Sequence, residues 1–145
     1  MSRSAEFLLP APLYQMMIQQ AQSELPNECC GLLGGTRDGD VLRAETCYPL
    51  INEAASPVEY LSEPRSMFQA MKAMRARGEE VVAVYHSHPT SAPVPSRTDL
   101  ERAYSPDVVH FIIGLSSEEP TLRGWWLADS TYEEATWRLT PSPTE

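Results

Sequence analysis

The residues best suited to chemistry lie in two short stretches. Tyr85-His86-Ser87-His88-Pro89 ends an apolar run, and Ser96-Arg97-Thr98-Asp99 follows, with seven residues between His88 and Ser96. In an extended strand alternate side chains share a face, so His86 and His88 point one way and Ser87 the other. Two imidazoles side by side can share one metal ion. Pro89 stops the strand there, which keeps both rings at its mouth. Asp99 is the candidate third ligand, brought back by a loop stiffened with Pro89, Pro93 and Pro95. Two histidines and one carboxylate fill three positions of a tetrahedral zinc site, and an open fourth position marks a catalytic centre. Zinc lowers the pKa of a bound water to about 7, so a nucleophile is available at neutral pH. Each part has a plainer reading. A single histidine at a strand end is ordinary, and Ser96 with Asp99 suits a helix N-cap and an acidic first turn. A cap and a ligand are compatible, because the cap fixes Asp99 in place. His110 has no partner by spacing and reads as structural or surface-facing.

The elements that must position these residues can be read from periodicity. Leu13, Met16, Met17, Gln20 and Ala21 recur at helical spacing, which predicts a helix over 12–25 that stops before Pro26. Cys29–Gly35 and Val41–Leu50 read as strands joined by the turn Arg37-Asp38-Gly39-Asp40, a hairpin. Residues 51–63 are irregular. A second helix is expected over 64–78, with Pro64 at its start, Gly78 at its end, and Met67, Met71 and Met74 as an apolar stripe. Val81–His88 is a strand and Ser96–Ala103 a short helix. Val108–Leu115, Thr121–Leu127 and Tyr132–Leu139 are further strands, the last two across Ala128-Asp129-Ser130. The head, Met1–Leu9, is expected to be an edge strand or loose, and the tail, Thr140–Glu145, frayed. Strands often follow one another directly, so the expectation is an α/β (α+β) fold, a mixed, mainly antiparallel sheet flanked by helices, in one domain over 1–145.

Composition narrows the function classes. The chain has 145 residues, 20 acidic and 11 basic, for a net charge of −9. That charge disfavours nucleic acid and anionic membranes as partners. No apolar run approaches the ~20 residues of a membrane span. The first residues lack a signal-peptide pattern, so a cytoplasmic location is expected. Cys29, Cys30 and Cys47 are odd in number, two of them adjacent, and read as buried free thiols rather than a disulfide framework. Trp125 and Trp126 must face opposite ways in a strand. One is expected in the core and the other as an exposed patch for a partner or a homodimer.

The pattern His86-Ser87-His88, seven residues beginning with Pro89, then Ser96-x-x-Asp99 resembles the JAMM (MPN+) metallopeptidase signature. That family also carries an upstream glutamate in a Glu-x-Cys-Gly-Leu context, and Glu28-Cys29-Cys30-Gly31-Leu32 stands after the first helix. The resemblance runs from the first helix to Leu115. It implies a JAMM/MPN-like, cytidine-deaminase-like fold, with His86, His88 and Asp99 as zinc ligands. It implies Glu28 as general base and Ser96 as hydrogen-bond donor to the oxyanion. The compact chain, and the stretch Asn52-Glu53-Ala54-Ala55-Ser56-Pro57 with Tyr60 and Pro64, look like the bacterial branch. That branch cleaves amide bonds after the Gly-Gly tail of ubiquitin-like sulfur-carrier proteins. A groove beside Val81–His88, with the tail pairing along the strand edge, is the expected binding mode. The alternatives are a deubiquitinase-like isopeptidase and a non-catalytic zinc-binding MPN interaction module. A zinc deaminase would need a Pro-Cys-x-x-Cys pair, which Cys29-Cys30 does not supply.

Overall fold

The computed structural model describes residues 6–102, 106–128 and 130–141. The order of elements is β1 (Glu6–Pro10), α1 (Ala11–Ser23), β2 (Cys30–Asp38), β3 (Val41–Leu50), α2 (Pro64–Ala76), β4 (Glu80–His88), α3 (Arg97–Glu101), β5 (Val109–Gly114), β6 (Thr121–Ala128), β7 (Thr131–Glu134) and β8 (Thr136–Thr140). The strands form a single eight-stranded sheet in the order β7-β6-β5-β4-β2-β3-β1-β8. Pairings β2–β3, β2–β4, β5–β6 and β6–β7 are antiparallel, and β1–β3, β1–β8 and β4–β5 are parallel. The expected mixed, mainly antiparallel sheet flanked by helices is what forms.

The helices cover opposite faces. Leu13, Met17 and Ala21 of α1 pack with Phe7, Leu9, Leu33, Tyr85, Phe111 and Trp126. Ala70 and Met74 of α2 pack with Cys30, Leu32 and Leu50 on the other side. The helix ends follow from local chemistry. The Glu63 carboxylate accepts from the Ser66 and Arg65 N–H groups at 2.7 and 3.1 Å, Pro64 occupies the first turn, and Gly78 at φ 70° follows the last. The methionine stripe is only partly core: Met74 is buried and Met71 exposed. Within the hairpin, a Cβ on Gly35 would stand 1.8 Å from the Arg43 carbonyl oxygen, so only glycine permits the bulge there.

Three expectations change. The head is not an edge, since Glu6–Pro10 lies between β3 and β8 with Phe7 and Leu9 fully buried. Residues 1–5 lie outside the described residues, as do 142–145 of the tail and 103–105 at the end of the short helix. Tyr132–Leu139 is two strands rather than one, broken at Ala135, where β7 stays with β6 and β8 crosses to β1. These consecutive strands occupy the two ends of the sheet order, so the sheet curls until its edges nearly meet. Neither tryptophan is an exposed patch, with Trp125 4% and Trp126 6% accessible. They do face opposite ways. Trp126 joins the α1-side core, while Trp125 packs beside Ile112, Leu127 and Val94.

Candidate metal centre

The site grows from the junction of β2 and β4. Cys30 pairs with His86 in antiparallel register, and carrying that register onward sets Glu28 opposite His88. Directly opposed residues share a face, so His86, His88 and Glu28 converge on the α2 side. Ser87 faces the other way and locks the strands together. Its hydroxyl accepts from Cys29 N–H at 2.8 Å, and its own N–H donates to Cys29 C=O at 3.2 Å.

Beyond Pro89 the chain returns through a loop fixed at several points. His88 donates its Nδ1–H to the Ala92 carbonyl at 2.8 Å, and Trp125 donates its indole N–H to the Pro93 carbonyl at 2.9 Å. The loop delivers Ser96 as N-cap of α3. Asp99 N–H donates to Ser96 Oγ at 3.1 Å and Ser96 N–H donates to Asp99 Oδ2 at 2.9 Å, a reciprocal capping box. Asp99 Oδ1 then stands 3.1 Å from His86 Nε2, and Oδ2 stands 3.1 Å from His88 Nε2. The two Nε2 atoms are 3.2 Å apart.

These distances test the donor set for a metal. Ligands ~2.0–2.1 Å from a tetrahedral zinc stand roughly 3.3 Å from one another. The two Nε2 atoms at 3.2 Å have nearly that spacing, and each stands 3.1 Å from one of the two Asp99 oxygens. With Nδ1–H of His88 committed to Ala92, its Nε2 lone pair is left for the cluster, the outer-shell arrangement typical of metal-binding histidines. Among the described residues His86, His88 and Asp99 are the group able to hold an ion, with ligand atoms within 4.8 Å of one another. The residues fit zinc.

The electrostatics are those of groups gathered out of water. Burial opposes charge on Asp99, but its contacts with the His86 and His88 imidazoles and with the Ser96 N–H outweigh it and hold its carboxyl far below the usual range. Burial draws His88 down, and its bonds to Asp99 and Ala92 more than compensate, leaving it raised. Glu28 is 4% accessible, and its Oε1 has no hydrogen-bond partner. Burial lifts its carboxyl to about 8, with His88 pulling it down and Asp99 pushing it up. The adjacent Cys29 and Cys30 thiols are pushed by burial to about 12, so neither is a thiolate nucleophile at neutral pH. All three cysteines are free and buried.

Two further side chains join the site that spacing alone does not place there. The Tyr60 ring stacks on His86, centroids 4.7 Å apart at 27°. His110, expected to be structural or surface-facing, is buried and pairs with Val84, which puts it on the His86 face. Only the parallel β4–β5 register reveals that. A cavity of about 200 Å³ opens beside these rings, lined by Cys30, Tyr60, Met67, Val84 and His110 among others. The expected edge pairing along Val81–His88 is not available, because β2 and β5 flank β4 on both sides. Access is over the sheet face.

A family model described as prokaryotic homologs of the JAB domain matches residues 10–128. The chain belongs to this Prok-JAB family. Among its relatives, a CysO-cysteine peptidase of Mycobacterium tuberculosis is 32% identical over 130 residues, 88% of this chain and 86% of that protein. A desampylase of Haloferax volcanii is 41% identical over 93 residues, 63% of this chain and 66% of the relative. The solution structure of a protein from Desulfitobacterium hafniense has a TM-score of 0.86 and 34% identity, covering 94% of both chains.

Proposed function

We propose that the chain is a zinc-dependent hydrolase that cleaves the amide bond after the C-terminal Gly-Gly tail of a ubiquitin-like sulfur-carrier protein. The observation that carries this reading is the convergence of His86, His88 and Asp99 within 4.8 Å beside a buried Glu28 with an unpartnered oxygen. The relative named CysO-cysteine peptidase supports the substrate class.

In this reading His86, His88 and Asp99 hold the ion, which supplies Lewis acidity and an acidified water. Glu28 takes a proton from the attacking water and returns it to the leaving amine. Ser96 donates its hydroxyl hydrogen to the oxygen of the scissile carbonyl. Its cap uses only acceptor capacity of Oγ, so the donor remains for that purpose. The Tyr60 ring stacks on the His86 imidazole and limits its rotation. The cavity over the sheet face suits an unbranched tail, which needs no side-chain pocket. We read residues 1–145 as one catalytic domain. We assign it to the cytoplasm, in keeping with the free thiols. No helix among the described residues is long and apolar enough to cross a membrane.

The test is incubation of the zinc-loaded protein with a carrier extended by cysteine after Gly-Gly. The expected products are free cysteine and a carrier ending in Gly-Gly, read by mass spectrometry. No cleavage anywhere between about pH 6 and 9, where a general base of this kind operates, would overturn the reading.

A further inference from the structure

We propose that Asn52 is a positioning residue that sets Glu28 over the metal ligands, an inference that rests on the peptidase reading above. Glu28 precedes β2, so the sheet ladder does not hold its backbone. Residues 51–63 hold it instead. Glu28 N–H donates to the Ser56 carbonyl at 2.8 Å, and Glu28 C=O accepts from Asn52 Nδ2 at 2.9 Å. Both polar groups of the Glu28 peptide backbone thus end on one loop.

Asn52 is the hub of that loop. Its second Nδ2 contact goes to the Glu59 carbonyl at 3.2 Å, and its Oδ1 accepts from Ala54 N–H at 3.0 Å and Leu61 N–H at 2.9 Å. A carboxamide has two donors and two acceptor positions, and all are in use. The loop then reaches the rest of the site. Tyr60 stacks on His86, and Arg102, next to α3, donates to the Tyr60 carbonyl and pairs with Glu59, both at 3.1 Å. One side chain therefore ties the backbone of the general base to the residue covering a metal ligand. The loop base does not need Asn52 to close, because Glu53 N–H bonds Leu61 C=O at 2.7 Å and Glu63 N–H bonds Ile51 C=O at 2.8 Å. Removing the carboxamide releases the Glu28 carbonyl and leaves its N–H bond to Ser56 and the frame of the loop.

The side-chain hydrogen bonds of Asn52 all go to backbone groups, so it acts through Glu28 rather than on substrate. A misplacement of ~1 Å at a reacting group costs about 10²-fold in rate. Asn52→Ala is expected to lower kcat about 10²-fold with KM within about threefold and zinc content unchanged. Hydrogen exchange should quicken at the Glu28 and Leu61 amides and stay slow in β4. Added to Glu28→Gln, Asn52→Ala should bring little further loss, because the residue it positions no longer acts. If Asn52→Ala does not fold, Asn52→Asp, which keeps the acceptor oxygen and loses both donors, carries the same expectations. A folded variant with wild-type kcat overturns the proposal. So does a loss in the Glu28→Gln background as large as in the wild type. A wild-type protein that cleaves nothing overturns the peptidase reading instead.

Discussion

At the residue scale, the site separates binding from chemistry. His86, His88 and Asp99 face one another at 3.1–3.2 Å, whereas Glu28 sits beside them with one oxygen unbonded. Glu28→Gln is therefore expected to retain zinc, measured by metal analysis, and to lose about 10²–10⁴-fold in kcat. Asp99→Asn should lose both metal and turnover. Chelation should abolish activity and added zinc restore it, with far-ultraviolet circular dichroism unchanged, because the apolar clusters form without the ligands. Ser96→Ala has two consequences. Loss of an oxyanion donor costs about 10²–10³-fold in kcat. Loss of the cap on α3 costs about 1 kcal/mol of stability. A denaturation curve and a rate measured on the same variant separate them.

At the element scale, precision comes from short connections pinned by side chains. The loop after β4 is tied by His88 to Ala92 and by Trp125 to Pro93, and the capping box then aims Asp99. In the β2–β3 hairpin the constraint is steric. Gly35→Ala would drive a methyl into the Arg43 carbonyl and is expected to cost about 1–3 kcal/mol or more in urea unfolding. At the start of α2, hydrogen bonds from the Ser66 and Arg65 N–H groups hold the Glu63 carboxyl below its ordinary range. Its capping contribution is complete above the unfolded-state pKa and fades as pH falls through the lower folded value. Glu63→Gln should remove that acid-side dependence, seen as wild type and variant converging in stability at low pH.

At the scale of the whole molecule, the curled sheet has a working face and a packing face. Phe111 lies on the packing face, edge-on to Phe7 at 5.0 Å and to Trp137 at 5.6 Å, so it joins β5 to β1 and β8 across the curl. Phe111→Ala is expected to cost about 3–5 kcal/mol in stability. The folded fraction should still bind zinc, since His86 and His88 project from the other face. Measuring metal content against temperature would show binding lost only as the protein unfolds.

Much of this was legible beforehand, and the reason is locality. The shared face of His86 and His88 follows from the two-residue period of a strand. The pairing of Ser96 with Asp99 follows from the geometry of a helix N-terminus, and both are set within a few residues of chain. The helices and most strands follow from spacing of the same short range. What only the tertiary structure decided depends on which strands become neighbours. The parallel β4–β5 register turned His110 inward beside His86. Flanking by β2 and β5 closed the edge of β4. The break at Ala135 sent β8 to the far side of the sheet, and the loop over Glu28 gave Asn52 its contacts. Strand neighbours are chosen by burial of whole faces, a property of the entire sheet that no short window of residues contains.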